Sequence, residues 1–284
     1  MKVQIISHTQ NPELVVATAA KLCYAGCNID ELMEKQTPEG IERFITMLEE
    51  MGHESPMEHV SFTFAIEGVS RVTEQQLTRH RIASYSIQSG RYVDRSNAEF
   101  YMPGDIAEHD YIKNIYLDVI EHSKEAYGQI TDALLHQYIL TEGYKYGFEM
   151  EADCIYDKVE CFSVFKNANP KMFNAFKKRA IENARLVFPS SLETKIICTM
   201  NVRTLLNFFK HRCCNRAQDE IRELAKEMLK LVKVIAPNLF KHAGAACVSG
   251  ICPENGMQCS QLKGKIPTMI EVRDLIAKHY KREA

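Results

Sequence analysis

Between Val60 and Val69 the chain alternates: Phe62, Phe64 and Ile66 interleave with Ser61, Thr63 and Ala65. A period of two predicts a strand with one buried face. The β-branched apolar run from Thr194 to Met200 and the shorter one from Val3 to Ser7 predict two more strands. Elsewhere apolar residues return every three or four positions, the helical repeat. Pro12 opens a helix towards Tyr24, and Thr37-Pro38-Glu39 caps one through Ile41, Phe44, Ile45 and Leu48 to Gly52. Ser70 can cap a helix through Val72, Gln76 and Arg79. Ile106 to about Tyr146 predicts one long helix or two, and Asn169-Pro170 starts another that runs to Ala184 before Pro189 stops it. Val202 to Arg212 and the amphipathic Ala217 to Ile235 complete the helices. Two stretches follow neither period. Tyr144 to Asn167 reads as an irregular excursion, and Cys247 to Lys265 as an irregular tail.

With no repeat, low-complexity run or flexible linker, the 284 residues predict a single domain, with an inserted segment at about 144–167 and a cysteine-containing tail at about 243–284. A hydrophobic fraction of 45% and a charged fraction of 25% are ordinary for a soluble globular protein. Net charge is −2, so no global field draws the chain to nucleic acid or to a membrane surface, and anion binding has to be local. No apolar run approaches the roughly 20 residues of a membrane span, and Met1 to His8 lacks the pattern of a signal peptide. Ten cysteines without an export signal then predict reduced thiols in a cytoplasm.

One stretch carries local charge. From Gln75 to Val93 there is no acidic residue, while Arg79, His80, Arg81 and Arg91 sit among Ser84, Ser86, Ser89 and Gly90. Guanidinium forks match phosphate oxygens in pairs, and a Ser/Gly turn lets backbone N–H groups approach an anion. A solvated basic turn has the same composition. A second constellation is helical: Arg203, Asn207 and His211, four apart, share a face, with Arg212 beside it and Arg216 a turn on. Amides with arginines can bind a heterocycle's edge and a nucleotide's phosphates together; an exposed helix face is the plain alternative.

Several familiar sites are excluded. There is no Gly-x-Gly and no Gly-Lys-Ser/Thr, so neither a dinucleotide fingerprint nor a phosphate loop is present. His53-Glu54 with His59 lacks the spacing for two ligands on one helical turn. Cys247, Cys252 and Cys259, with His242 upstream, could close a zinc site, but without Cys-x-x-Cys pairs free thiols are expected and no metal is assigned.

Four blocks together resemble the flavin-dependent thymidylate synthases. Arg79-His80-Arg81, seven residues, then Ser89 resembles that family's Arg-His-Arg-x7-Ser signature. His53-Glu54-Ser55-Pro56-Met57-Glu58-His59, Ala184-Arg185-Leu186-Val187-Phe188-Pro189, and Asn201 to Arg212 continuing to Glu220 resemble three further family elements, in family order. The resemblance implies an α+β subunit with a central, mostly antiparallel sheet flanked by long helices, in a homotetramer whose active sites are shared between subunits. It implies conversion of dUMP to dTMP with methylenetetrahydrofolate as carbon donor, and FAD, reduced by NADPH, as hydride source. The Pro-Cys-Gln nucleophile of the other thymidylate synthases does not occur in the chain.

Residue by residue, the resemblance gives FAD to Arg79, His80 and Arg81, with Ser55, Asn201, Arg203 and Asn207 along the same cofactor. It gives dUMP to Gln76, Arg79, Ser89, Gly90 and Arg91, with Arg185 supplied from a neighbouring subunit. Arg212 would hold the uracil and favour ionisation at N3, and His53 would lie near the folate and the flavin ring. Ile87 departs from the pattern, standing where a polar residue is usual, so its contact falls to the backbone or to Gln88. Cys23 stands where some members have serine.

Overall fold

A computed structural model describes residues 1–148, 153–260 and 265–280. It is an α+β structure with one four-stranded antiparallel sheet. The chain divides into two compact units, each gathered from separate stretches: Met1–Glu67, Thr73–Ser86 and Lys195–Ala284 in the first, Gly68–Val72 and Ile87–Thr194 in the second.

The sheet is built largely from the first unit. Its strands are β1 (Lys2–His8), β2 (Ser61–Ser70), β3 (Ser84–Ile87) and β4 (Glu193–Asn201), in the order β1-β2-β4-β3. β1 runs antiparallel to β2, with Val3 opposite Ile66 and Ile5 opposite Phe64, and the register slips once between Ile5 and Ser7. The alternation read in β2 is the burial pattern: Phe62, Phe64 and Ile66 are buried while Ser61, Thr63 and Ala65 are partly open. Each fully buried phenylalanine contributes about 1.5–3 kcal/mol relative to exposure. On the other face Thr63 and Thr199 join their hydroxyls across β2 and β4 at 2.9 Å. Phe240 closes the core, edge-on to Phe62 and Phe209.

Helices of this unit start where their caps predict. Thr37 Oγ1 accepts from Gly40 N at 3.1 Å ahead of the helix Pro38–Glu50. Asn201 ends β4 and also caps the helix Val202–Arg212, its side chain accepting from Thr204 N at 2.8 Å. Val202 N donates to Val60 O at 2.9 Å, tying that helix start to the entry of β2. Ser84 to Ile87 differs from expectation. Their serines predict part of an anion-binding turn, but they form the edge strand, because Tyr85 turns inward and its hydroxyl donates to the Leu77 and His80 carbonyls at 2.8 and 2.9 Å.

The second unit is helical. Asp110–Glu142 packs along Pro170–Ala184 around Leu135, Tyr138, Ile139, Phe173, Phe176 and Ala180. The excursion at 144–167 is not irregular. Apart from 149–152, which lie outside the described residues, it forms the turn Gly143–Tyr146 and the helices Asp153–Tyr156 and Lys158–Ala168. Cys161 and Phe165 are buried, and Phe165 stacks on Phe176 with ring centroids 5.7 Å apart. Its aromatic residues were core without a recognisable period. The tail between Cys247 and Lys265 is short turns, with 261–264 outside the described residues, and is followed by an unforeseen helix, Met269–Tyr280.

Candidate active site

The Arg79-His80-Arg81 triplet leaves the helix Arg71–Leu77 and meets the exposed face of Val202–Arg212. That helix buries Val202, Leu205, Phe208 and Phe209, so its spacing turns Arg203, Asn207 and Lys210 outward. Between the two segments lies a cavity of about 680 Å³. Arg79, His80, Arg81, Asn201, Arg203 and Asn207, predicted from two separate blocks, line it. Glu54 and Glu58 line it too, and each carboxylate pairs with Arg203. Ser55 and His53 stand exposed on the same 53–59 turn, and the cavity wall takes Glu54 and Glu58 instead.

At the C-terminal end of that helix the side chains form a fixed relay. Arg212 Nε donates to His80 Nε2 at 3.2 Å, and Arg212 Nη1 donates to Gln76 Oε1 at 3.3 Å. Gln76 in turn donates its amide to Gln218 Oε1. Nε2 of His80 is thus an acceptor, which puts the neutral ring's proton on Nδ1. The imidazole packs edge-on against Phe208 at 4.9 Å. Burial first, then the charge of Arg212 and of His211, pushes its pKa down to about 4. Arg212 holds its own proton less tightly than usual, through burial and then repulsion from Arg79. Among the described residues neither Arg79, Arg81 nor Arg212 forms an ion pair with a carboxylate, unlike Arg203. Like charges crowded without counter-ions suit an anionic ligand. A second cavity of about 750 Å³, lined by Arg79, His80 and Arg212, continues past Arg212 to a group of cysteines.

The remaining predicted residues belong to the second unit. Ser89 Oγ accepts from Arg91 N at 3.1 Å, closing a tight turn. A Cβ built on Gly90 would come within 3.0 Å of Arg185 Nη1 and 3.2 Å of its Cδ, so any larger residue would press on Arg185 and force it to shift. Arg185 Nε donates to Glu182 O at 3.2 Å, and Arg91 Nε pairs with the Glu182 carboxylate at 2.6 Å. Arg185 therefore lies against Gly90 of its own chain. Gln88 and Ile87 are half-buried beside them, and Cys23 is exposed, its thiol facing the Ala19 carbonyl at 3.9 Å.

The chain matches the family described as thymidylate synthase complementing protein over residues 4–238. It is 48% identical over 261 residues to a flavin-dependent thymidylate synthase of Clostridium tetani, covering 92% of this chain and 94% of that one. This chain belongs to the flavin-dependent thymidylate synthase family. A member from Geobacter sulfurreducens is 40% identical over 263 residues, with 92% and 94% covered. One from Pyrococcus furiosus is 31% identical over 266 residues, with 90% and 91% covered.

Against the family blocks, the reading from sequence missed Lys210, Gln218 and the Glu54–Arg203–Glu58 pairing. Lys210 was findable, since it follows Asn207 by one helical turn on the exposed face. Gln218 and the carboxylate pairs come from contacts far apart in sequence, which no local pattern signals.

Proposed function

We propose that this protein makes dTMP by reductive methylation of dUMP, with methylenetetrahydrofolate as the carbon donor. Bound FAD, reduced by NADPH, would supply the hydride. The observation that carries the reading is the joint lining of one cavity by the Arg79-His80-Arg81 triplet and by Asn201, Arg203 and Asn207. A cavity of about 680 Å³ is of cofactor size. Arg79 and Arg81, without carboxylate partners, fit the cofactor's phosphates, while Asn201 and Asn207 can bond its polar edges.

The uracil falls to Arg212. With Nε and Nη1 committed to His80 and Gln76, its fork is held in one plane, and the second terminal nitrogen remains outside those two bonds. A fixed cation at the pyrimidine edge favours loss of the N3 proton and so loads electron density onto the ring carbon to be methylated. His80 contributes as a neutral acceptor, since a cation there would repel Arg212. Gln76 and Arg79 complete the uracil side. Ser89, Gly90, Arg91, Arg185 and Gln88 would take the phosphate, with Ser89 as a binding group. In the homotetramer we propose, the uracil-holding set of one chain and the phosphate-holding set of another meet on one nucleotide. His53, exposed on its turn, would exchange protons near the folate.

No cysteine nucleophile enters this scheme. Burial pushes the Cys198 thiol up to about 12 and that of Cys213 up to about 11, so both stay protonated and unreactive. The test is release of tritium from C5-labelled dUMP in the presence of FAD, NADPH and methylenetetrahydrofolate. Arg212→Ala should lower the rate about 10- to 150-fold, the worth of one charge-assisted contact of about 1.5–3 kcal/mol. A variant that releases tritium at the parent rate would remove Arg212 from the mechanism; a parent that releases none would end the proposal.

A further inference from the structure

The cavity that begins at Arg212 ends among thiols. Cys214, Cys247, Cys252 and Cys259 all line it, brought from the turn after the helix Val202–Arg212 and from three points of the tail. Intervals of 33, five and seven positions hid this grouping, and the fourth member is Cys214, not the exposed His242. All four are free thiols.

The surroundings are polar and cationic. Asn215 Nδ2 donates towards Cys259 Sγ at 3.9 Å. Cys252 is pinned by backbone bonds on both sides, its N donating to Pro267 O at 2.9 Å and its O accepting from Met269 N at 3.0 Å. The cavity wall adds Arg79, Lys210, Arg212 and Arg216 against the single carboxylate of Glu254, which Arg216 already holds at 2.6 Å. Such an excess of cations would offset the negative charge of four ligating thiolates. All four line the one cavity, and among the described residues no three His, Cys, Asp or Glu side chains are grouped to hold a single ion. A tetrahedral zinc demands such a grouping. A four-iron cluster does not, because each thiolate takes a different iron at a corner of the cluster.

We propose that Cys214, Cys247, Cys252 and Cys259 ligate an iron–sulfur cluster that staples the tail to the turn following Arg212. On assembly each thiol gives its proton to solvent and its sulfur to one iron; the iron and inorganic sulfide come from outside the chain, and ligation itself transfers no electron. The cavity is shared with Arg79, His80 and Arg212, so the cluster is read by composition and not by turnover. Full-length protein prepared without oxygen, or reconstituted with a mixture of ferrous and ferric iron and with sulfide, is desalted and assayed for iron, acid-labile sulfide and zinc. Iron and sulfide in equal amounts are expected, with a paramagnetic resonance signal on dithionite reduction that flavin does not give. Cys259→Ser, at a partly open position, should lose most retained iron, whereas Cys27→Ser should keep it. If Cys252→Ser failed to fold, Cys259→Ser alone would decide. Protein that retains no iron, that takes up zinc alone, or whose Cys259→Ser variant holds iron as firmly as the parent would overturn the proposal.

Discussion

The bond from Arg212 to His80 makes a pH dependence that can be worked through. His80 has a folded pKa of about 4 against an ordinary 6.5, so the unfolded chain binds its proton first as pH falls. The contribution is therefore fully present above 6.5 and is lost on acidification towards 4. A shift of that size corresponds to about 3 kcal/mol at its limit. The ring is partly exposed, and screening by water reduces this to on the order of 1–2 kcal/mol. At about pH 5 the loss is about 1 kcal/mol, which lowers Tm by about 2–4 °C in a chain of this size. His80→Gln keeps an acceptor for Arg212 Nε but cannot titrate. Thermal scans of nucleotide-free protein at about pH 7.5 and about pH 5 should show the parent losing more Tm than His80→Gln, by about 2–4 °C. Equal losses in the two proteins would refute the assignment of His80 as a neutral acceptor.

Three other outcomes are expected. Gly90→Ala forces its Cβ to within 3.0 Å of Arg185 Nη1; the fold should survive, the KM for dUMP should rise, and kcat should change little in steady-state assays. Arg81→Ala should leave dUMP binding intact and shed flavin on desalting, measured by absorbance of the retained fraction. Asn201→Ala removes the cap of Val202–Arg212 and should cost about 1 kcal/mol, seen as a Tm lower by about 2–4 °C.

Periodicity told most where one element fills its own face. Val202–Arg212 was readable to the residue because buried Val202, Leu205, Phe208 and Phe209 recur on the helical repeat and Asn201 is a cap. The alternation in β2 was equally plain. Lys158–Ala168 was not, because its Phe162 and Phe165 find partners in Phe173 and Phe176 of another helix, so its aromatic residues follow tertiary contacts. β3 is four residues long, too short for a period to show, and only Tyr85 reaching the Leu77 and His80 carbonyls fixes it. At the site, the family blocks named the cavity-lining triplet and the helix face, but the Arg212–His80–Gln76–Gln218 relay joins residues up to 142 positions apart. The cysteine quartet was hidden for the same reason.

Asn201 is at once the last residue of β4 and the cap of the next helix, so sheet and helix meet without slack. One extra residue at that joint would rotate everything after it by about 100°, carrying Arg203, Asn207 and Arg212 off their cavities while leaving the sheet whole. Length variation among natural or engineered versions of this chain should therefore gather elsewhere, and a screen of single-codon insertions should find position 201 among the least forgiving.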